Sequence, residues 1–418
     1  MSSGIHSTIS SLYTRLQLRW VPKWYRAFSD PQGGFYERLG KGFQPVPGVN
    51  KRLVTQCRQL AIYSDAYATQ KNRLYESLKP KFDYILRKYR NAETGLWVFS
   101  LDEQGLVADD TCDLYALSFV IFACSHYYRA CGDERAKETA MDVLTLIETR
   151  FRMPGLPGYA EALDKNGQPL LRVRRQNPHM HLLEACLFAH NIWDESCFST
   201  MADEMVGLFQ TYFYDEGRNA LIEFYTDDLR PHPVEGHRLE PGHYFEWVWL
   251  LKKHADMKGV PDLHDHAAWK LFDWANNFGW DNLYGGIYDT VSPDGAMIAD
   301  TKRIWPFCEA LKANALMLTL APDRQAVKDR VSDMVDVFKG KYMQERGFWT
   351  EWLNRNLVPA ADYMPGTTPY HVYFGIVETM RTLDRRGRGK SLTGGLQNFY
   401  YGVRRTLSEY LKRIKGIS

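Results

Sequence analysis

This sequence has few cysteines, and those it has are not paired in any recognisable pattern. Its 418 residues include seven cysteines, an odd number, and no two of them form a Cys-x-x-Cys pair. A zinc cluster of the Cys-x-x-Cys type is therefore excluded, and nothing indicates a disulfide framework. Unpaired cysteines in an ordinary globular composition are typical of a reducing compartment, so we expect a cytoplasmic protein.

Long hydrophobic runs and a strong net charge are also missing. The N-terminal segment MSSGIHSTISSLY lacks the basic residues and apolar run of a secretion signal, and no stretch reaches the roughly 20 apolar residues that cross a membrane. The formal net charge is only +2, and no basic stretch alternates with aromatic residues in a nucleic-acid-binding motif. We therefore expect neither a nucleic-acid partner nor a membrane partner.

Aromatic residues are in excess, and they form part of a repeated pattern. They make up 14% of the chain, which is enough to fill a large core and to line a pocket for the apolar faces of sugars. Segments that place a small residue beside apolar ones recur every 61 to 66 residues: GGFYE (33–37), GLWVF (95–99), GYAEA (158–162), ALIEF (220–224), GGIYD (285–289) and GFWTE (347–351). Such segments predict short strands or hairpins that leave tight turns.

The stretches between these segments have helical periodicity, with apolar residues three and four positions apart. A unit of about 62 residues accommodates two helices of roughly 15 residues and a hairpin in the loop. Six units over residues 1–385 predict an all-α fold, an (α/α)6 barrel of six helical hairpins with short β-hairpins in its loops. An open solenoid of helix pairs is the alternative, and the absence of distinct polar capping repeats favours closure.

The composition changes after residue 385. Residues 386–418 are basic, and we expect a C-terminal extension with a short amphipathic helix. The Gly-Lys-Ser at 389–391 is not a phosphate-binding loop, because Asp384 stands where the motif requires its first glycine.

Polar residues follow the same period as the turns. Near the start of one helix in each unit stands a residue 57 to 66 positions from the next: Arg58, Tyr115, His181, His243, Pro306 and His371. In a closed barrel, equivalent positions on the six inner helices face one axis at one end. We therefore expect these dispersed residues to converge in a single pocket.

Histidine and glutamate also stand three residues apart within this set. The pairs are His181 with Glu184, His243 with Glu246 and, with proline in place of histidine, Pro306 with Glu309. A metal centre is one interpretation, since such pairs bind metals in helix bundles. However, the zinc motif His-Glu-x-x-His is absent, and Arg58 and Trp305 would share the pocket with the ion. We favour acid–base chemistry by a neutral imidazole, with no metal and no cofactor.

Several of these residues have simpler alternative roles. Glu184 and Glu309 would serve equally well as helix caps that bond loop N–H groups. Arg58 has the alternative of a plain ion pair with a carboxylate. Trp305 suits the core as well as it suits a platform for a sugar face.

These segments resemble the N-acylglucosamine 2-epimerase family of sugar epimerases and isomerases. The resemblance spans residues 10 to about 385 and is carried by TQCRQLAIYSDAY, QNPHMHLLEA, EPGHYFEWVWLL, WPFCEA and YHVYF. It implies the (α/α)6 barrel and a catalytic pair, His243 and His371. It also implies substrate binding by Arg58, Tyr115, Asn177, His181 and Glu246, to which the repeat adds Trp305 and Glu309 as candidates. The family's Tyr-Asp-His-Ala-Phe segment reads YALSF at 115–119, so its acid and histidine are absent here.

The branch that the motifs match best implies an isomerase of free D-mannose and D-fructose, with D-lyxose and D-xylulose as a second pair. In that chemistry neutral His371 moves a proton from C2 to C1 through a cis-enediolate. His243, oriented by Glu246, assists ring opening, while Arg58 stabilises the negative charge on oxygen. The expected partner is a monosaccharide, and both monomer and homodimer remain open.

Other functions remain as alternatives. A sugar 2-epimerase of the mannose, cellobiose or N-acylglucosamine type would use the two histidines from opposite faces of the enediolate. A glycoside hydrolase on the same barrel would need two carboxylates flanking the scissile bond, which a histidine-rich ring matches less well.

Overall fold

The computed structural model describes residues 3–72, 74, 78–321 and 323–387. The extension predicted at 386–418 lies outside the described residues from position 388 onward, and its short helix stays a prediction. Among the described helices, none combines the length and the apolar character that a bilayer span requires.

Six helices form an inner ring. They are α3 (Leu53–Gln70), α5 (Leu114–Cys131), α7 (Gln176–Trp193), α9 (Pro241–Lys258), α11 (Ile304–Leu320) and α13 (Pro369–Gly387). Each packs against the next in chain order, and α13 packs back against α3. The ring is therefore closed, which confirms the predicted barrel and excludes the open solenoid. Most positions of these helices are buried on every side, as expected for helices enclosed by an outer layer.

The outer helices bury one face only. In chain order they are α1 (Ser3–Arg15), α2 (Val21–Phe28), α4 (Leu78–Tyr89), α6 (Glu134–Leu146), α8 (Ser196–Leu208), α10 (Asp265–Trp274) and α12 (Gln325–Val337). In α6 the buried residues lie at positions 136, 139, 140, 143 and 144, which is one stripe at helical spacing. Five-residue π-helical turns follow α1, α6, α8, α10 and α12.

The strands are two or three residues long and lie in the loops that precede the inner helices. They are β1 (Arg38–Leu39), β2 (Lys51–Arg52), β3 (Ser100–Leu101), β4 (Val107–Asp109), β5 (Cys112–Asp113), β6 (Ala162–Leu163), β7 (Arg174–Arg175), β8 (Tyr214–Asp215), β9 (Ala220–Leu221), β10 (Phe224–Tyr225), β11 (Thr290–Val291), β12 (Met297–Ala299), β13 (Lys302–Arg303), β14 (Trp352–Leu353) and β15 (Met364–Pro365).

Antiparallel pairing links each unit to the next at the end where the inner helices begin. The segment just before an inner helix pairs with the hairpin of the following unit: β2 with β3, β5 with β6, β7 with β10, Leu239 with Val291, and β13 with β14. The last pair, β15 with β1, joins the sixth unit to the first. This second ring fixes the helix starts around one opening.

Acidic side chains tie three of the hairpins to the segment that precedes an inner helix. Each accepts hydrogen bonds from both the backbone N–H and the guanidinium of the arginine that precedes an inner helix: Glu37 with Arg52, Glu161 with Arg175, and Asp289 with Arg303. The equivalent acid in the fourth unit is Glu223, but Glu240 precedes α9 where an arginine would stand. Glu223 is therefore left to bond groups inside the barrel.

Candidate active site

The predicted polar residues fall into two layers on the inner helices rather than one. Counted from the first residue of its helix, the third position holds His243, Pro306 and His371, and the second holds Tyr115, Asn177 and Trp305. The sixth position holds Arg58, His181, Glu246 and Glu309. Because three residues make almost one helical turn, both layers lie on the same face, with the second one turn deeper. The expectation that Arg58 and His181 occupy the same place as His243 is corrected accordingly.

His243 lies in the first turn of α9 and is bonded to a carboxylate from a hairpin. Its Nδ1 is 2.9 Å from Oε2 of Glu223, and that same oxygen accepts a hydrogen bond of 2.9 Å from the Gln176 amide. Burial disfavours a charged ring, but Glu223, together with Glu240 and Glu246, outweighs it and raises the pKa of His243 to about 9. His243 is therefore an imidazolium at neutral pH. The carboxylate expected to orient it was Glu246; the structure puts Glu223 there instead.

His371 lies in the first turn of α13, and its pKa is shifted in the opposite direction to that of His243. Its Nδ1 is 2.9 Å from Oε1 of Glu309, whose other oxygen forms an ion pair with Lys312. Burial lowers the pKa of His371 to about 3 in spite of Glu309, and the charge of Arg58 adds to the effect. The ring is neutral at neutral pH, and when Nδ1–H donates to Glu309 its Nε2 is free to accept a proton.

Trp305 packs close to both histidines. Its ring centroid is 5.0 Å from that of His243 and 5.4 Å from that of His371. Gly242 makes room for it, since a Cβ at that position would lie 2.7 Å from the indole. Trp305 is half-buried, so part of the indole is accessible for contact with a sugar face.

Arg58 is buried without a carboxylate partner among the described residues. Its guanidinium lies 4.2 Å from the ring centroid of Phe119 and 4.6 Å from that of Tyr370, and it donates a hydrogen bond to the hydroxyl of Tyr115. Aromatic faces stabilise a cation without neutralising its charge. The plain ion pair considered for Arg58 is absent from the described residues, and its positive charge remains available to an anion.

His181 and two glutamates form the deeper part of the site. His181 Nδ1 is 3.1 Å from Glu184 Oε2, which also accepts a hydrogen bond from the hydroxyl of Tyr370. His181 Nε2 lies 3.7 Å from Glu246 Oε1. Burial lowers the pKa of His181 to about 4 and raises that of Glu246 well above its usual range, with Glu309 adding to the latter shift.

Several buried polar atoms of these site residues have no hydrogen-bond partner in the described part of the chain. They are Arg58 Nε, Asn177 Oδ1, Glu223 Oε1 and both carboxylate oxygens of Glu246. Buried polar groups are almost always hydrogen-bonded in native proteins, and leaving one unpaired costs roughly 1–3 kcal/mol. Donors and acceptors concentrated in this way fit a ligand rich in hydroxyl groups.

Comparison with known proteins agrees with this geometry. The family model described as N-acylglucosamine 2-epimerase matches residues 34–375. This chain belongs to the N-acylglucosamine 2-epimerase family. It is a sugar epimerase or isomerase of that family, as the sequence motifs had indicated.

Individual members of the family differ in their named activities. A mannose-6-phosphate isomerase of Rhizobium meliloti (strain 1021) is 27% identical over 396 residues, which cover 92% of this chain and 100% of that protein. The structure of a cellobiose 2-epimerase from Spirochaeta thermophila DSM 6192 superposes with a TM-score of 0.83 at 21% identity, over 91% of this chain and 98% of that one. A D-mannose isomerase structure gives a TM-score of 0.79 at 23% identity, with the same two coverages. At these identities the two structures show the shared fold.

Three residues of the candidate active site, Glu223, Tyr370 and Lys312, were not predicted from the sequence. Glu223 carries a periodic signal, because Glu161 precedes it by 62 residues in the equivalent hairpin. Tyr370 occupies the second position of its helix, as Tyr115 does. Lys312 has no counterpart in the repeat, and only its contact with Glu309 reveals it.

One cluster of this site also has the composition of a metal centre. Ligand atoms of His181, Glu184 and Glu246 all lie within 4.8 Å of one another. Two cations are already close, because Lys312 acts electrostatically on both glutamates and Arg58 on His181. A divalent ion would be repelled by both, and we do not assign these groups as metal ligands.

Removal of divalent cations is therefore expected to leave sugar turnover unchanged. The rate would be measured after dialysis against EDTA into metal-free buffer, with the metal content determined on the same sample. A loss of activity that one divalent ion restores would contradict this prediction and identify the cluster as a metal centre.

Proposed function

We propose that this protein is an isomerase that interconverts free D-mannose and D-fructose, with D-lyxose and D-xylulose as a second pair. The observation that carries the proposal is a pair of buried histidines that both lie close to Trp305 and whose surroundings shift their pKa values in opposite directions. Each is held through Nδ1 by a carboxylate, Glu223 or Glu309. Such a pair supplies one base and one acid at the same pH.

His371 is the base in this proposal. Its unprotonated Nε2 removes the proton from C2 of the open-chain aldose, and the electron pair of that C–H bond forms the C1–C2 double bond of a cis-enediolate. His371 then delivers a proton to C1, either the one it removed or one exchanged with solvent while on the ring, and C2 becomes the ketone carbon. Hydrogen moves only as a proton, so the isomerisation is redox-neutral and needs no electron carrier.

His243 and Arg58 act on the oxygens. The His243 imidazolium protonates the ring oxygen as the pyranose opens, and afterwards exchanges a proton between O1 and O2. An imidazolium held by a carboxylate is a weak acid, which suits transfer between oxygens better than delivery to carbon. Arg58, which has no carboxylate partner among the described residues, stabilises the negative charge of the enediolate. Tyr115, Asn177, His181, Glu246 and Trp305 bind the sugar in this proposal.

Electrostatics support a free sugar over a sugar phosphate. Four glutamates lie in the described site, at positions 184, 223, 246 and 309. Of the cations beside them, Lys312 is paired with Glu309 and the His243 imidazolium with Glu223, which leaves Arg58 without a carboxylate partner among the described residues. A single such guanidinium beside these carboxylates is a poor match for a phosphate dianion.

A 2-epimerase is the second candidate, favoured by the presence of two buried histidines close to the same indole, that of Trp305. Epimerisation would need His243 to return a proton to C2 on the face opposite the one that His371 deprotonated. Incubation with mannose in D2O, followed by NMR, separates the two functions. We expect fructose to appear first, and we expect no turnover of cellobiose or of mannose 6-phosphate. Glucose appearing with little fructose would overturn the isomerase proposal in favour of the epimerase.

A further inference from the structure

We propose that Lys312, a buried lysine in the third turn of α11, is a positioning residue that keeps His371 in the role of base. It does so by neutralising Glu309, the carboxylate behind the ring, whereas Glu223, the carboxylate behind His243, has no lysine or arginine partner among the described residues. The inference rests on the proposed function for the meaning of "base", but the charge arrangement itself is independent of the substrate.

The contacts behind His371 form a short chain through α11. Lys312 Nζ pairs with Oε2 of Glu309, and Oε1 of Glu309 is 2.9 Å from His371 Nδ1. Lys312 lies one turn beyond Glu309, so the two side chains share one face of the helix. Both are buried, which removes the solvent screening that would otherwise weaken the ion pair.

Neutralising Glu309 changes what the carboxylate does for the imidazole. A lone buried carboxylate would favour an imidazolium beside it, whereas a carboxylate already paired with a lysine favours the neutral ring and accepts its Nδ1–H. Lys312 and His371 outweigh burial and lower the pKa of Glu309 to about 2. The other titratable groups that act on His371 are Arg58 from α3, which disfavours the imidazolium, and His181 from α7, which acts in the same direction when it is protonated.

His243 has the opposite surroundings. Glu223 behind it receives a hydrogen bond from a neutral amide, that of Gln176, and in the described residues it forms no ion pair with lysine or arginine. Glu240 at the start of α9 and Glu246 one turn further add negative charge. The two histidines therefore differ in what contacts the carboxylate behind each ring. Lys312 contacts Glu309 behind His371, and Gln176 contacts Glu223 behind His243.

The replacement Lys312→Met tests the inference, since it removes the charge and keeps much of the length of the side chain. We expect the pKa of His371 to rise by about one to two pH units, because the carboxylate of Glu309 then lacks its lysine and favours the imidazolium beside it. The acidic limb of the profile of kcat/KM against pH should move upward by the same amount. The pKa would be read directly from the pH titration of the His371 ring by NMR, which requires no turnover.

Two further variants separate charge from packing. Lys312→Arg keeps the positive charge, and its His371 titration should stay within about half a pH unit of the parent protein. Lys252→Met is a matched control: Lys252 on α9 is about as buried as Lys312 but pairs with Asp265, the first residue of α10. It should alter stability without moving either the titration or the limb. If Lys312→Met does not fold, Lys312→Gln takes its place.

The outcomes distinguish the inference from the proposed function. An unchanged His371 titration in a folded Lys312→Met or Lys312→Gln protein would overturn the role of Lys312. A shifted His371 titration in the Lys312 variant, together with a parent protein that does not turn over mannose, would uphold the charge arrangement and reject mannose isomerisation. A lower rate with an unmoved acidic limb would show that Lys312 is only structural, and it would also count against the inference.

Discussion

Replacing His371 by alanine is expected to lower kcat/KM for mannose by at least about a hundredfold, since general acid–base catalysis contributes 10²–10⁴. The reason lies in the contacts of the ring. Glu309 holds Nδ1, so Nε2 is the nitrogen that accepts the proton from C2. KM should change little, because Arg58, Asn177 and Glu246 are left to bind the sugar.

The rate loss would be measured together with exchange of the C2 hydrogen into solvent deuterium, which should fall in parallel. His266→Ala is a suitable control: this ring lies on outer helix α10, is exposed, and bonds only Glu216 among the described residues. Its turnover should match that of the parent protein. Parent-like turnover in His371→Ala, with an unchanged melting temperature, would falsify the assignment of the base.

The barrel could be predicted from the period because each unit repeats the same local requirements. Gly34 shows one of them: it has a φ of +63°, and a Cβ there would lie 2.4 Å from the Gln56 side chain. Such turns leave a sequence signal every 61 to 66 residues. Closure leaves no comparable signal, because the contacts of α13 with α3 and of β15 with β1 depend on curvature summed over six units. The lack of distinct polar capping repeats favours a closed barrel but does not require one.

The partners of the histidines were less predictable than the histidines themselves. Spacing of three residues on one helix correctly paired His181 with Glu184. It failed for His243, whose partner Glu223 stands 20 residues earlier in a hairpin. It offered no partner for His371, which is bonded to Glu309, 62 residues earlier on the neighbouring helix. Periodicity identifies positions that face the axis, whereas hydrogen bonds between units depend on side-chain reach across the ring.

The charge states of the two histidines should be visible in the pH dependence of the reaction. His371 must be unprotonated, so activity is lost only as the pH falls towards its pKa of about 3. His243 must be protonated, so activity is lost as the pH rises through its pKa of about 9. The profile of kcat/KM is therefore expected to be flat around neutrality and to fall at alkaline pH, whereas two ordinary imidazoles would give a narrow bell centred at about pH 6.5.

Replacing His243 by alanine is accordingly expected to lower kcat/KM at least about a hundredfold and to abolish this alkaline limb. Glu223→Gln is the sharper variant, because it keeps the imidazole and removes only the charge behind it. Burial then acts on the ring without the carboxylate that opposed it, so the pKa of His243 falls and the alkaline limb moves towards neutral pH. Rates would be recorded from about pH 5 to about pH 10, with Glu216→Gln on the exposed pair with His266 as the control. An alkaline limb that stays in place in Glu223→Gln would assign it to another group and leave His243 without its role as the acid.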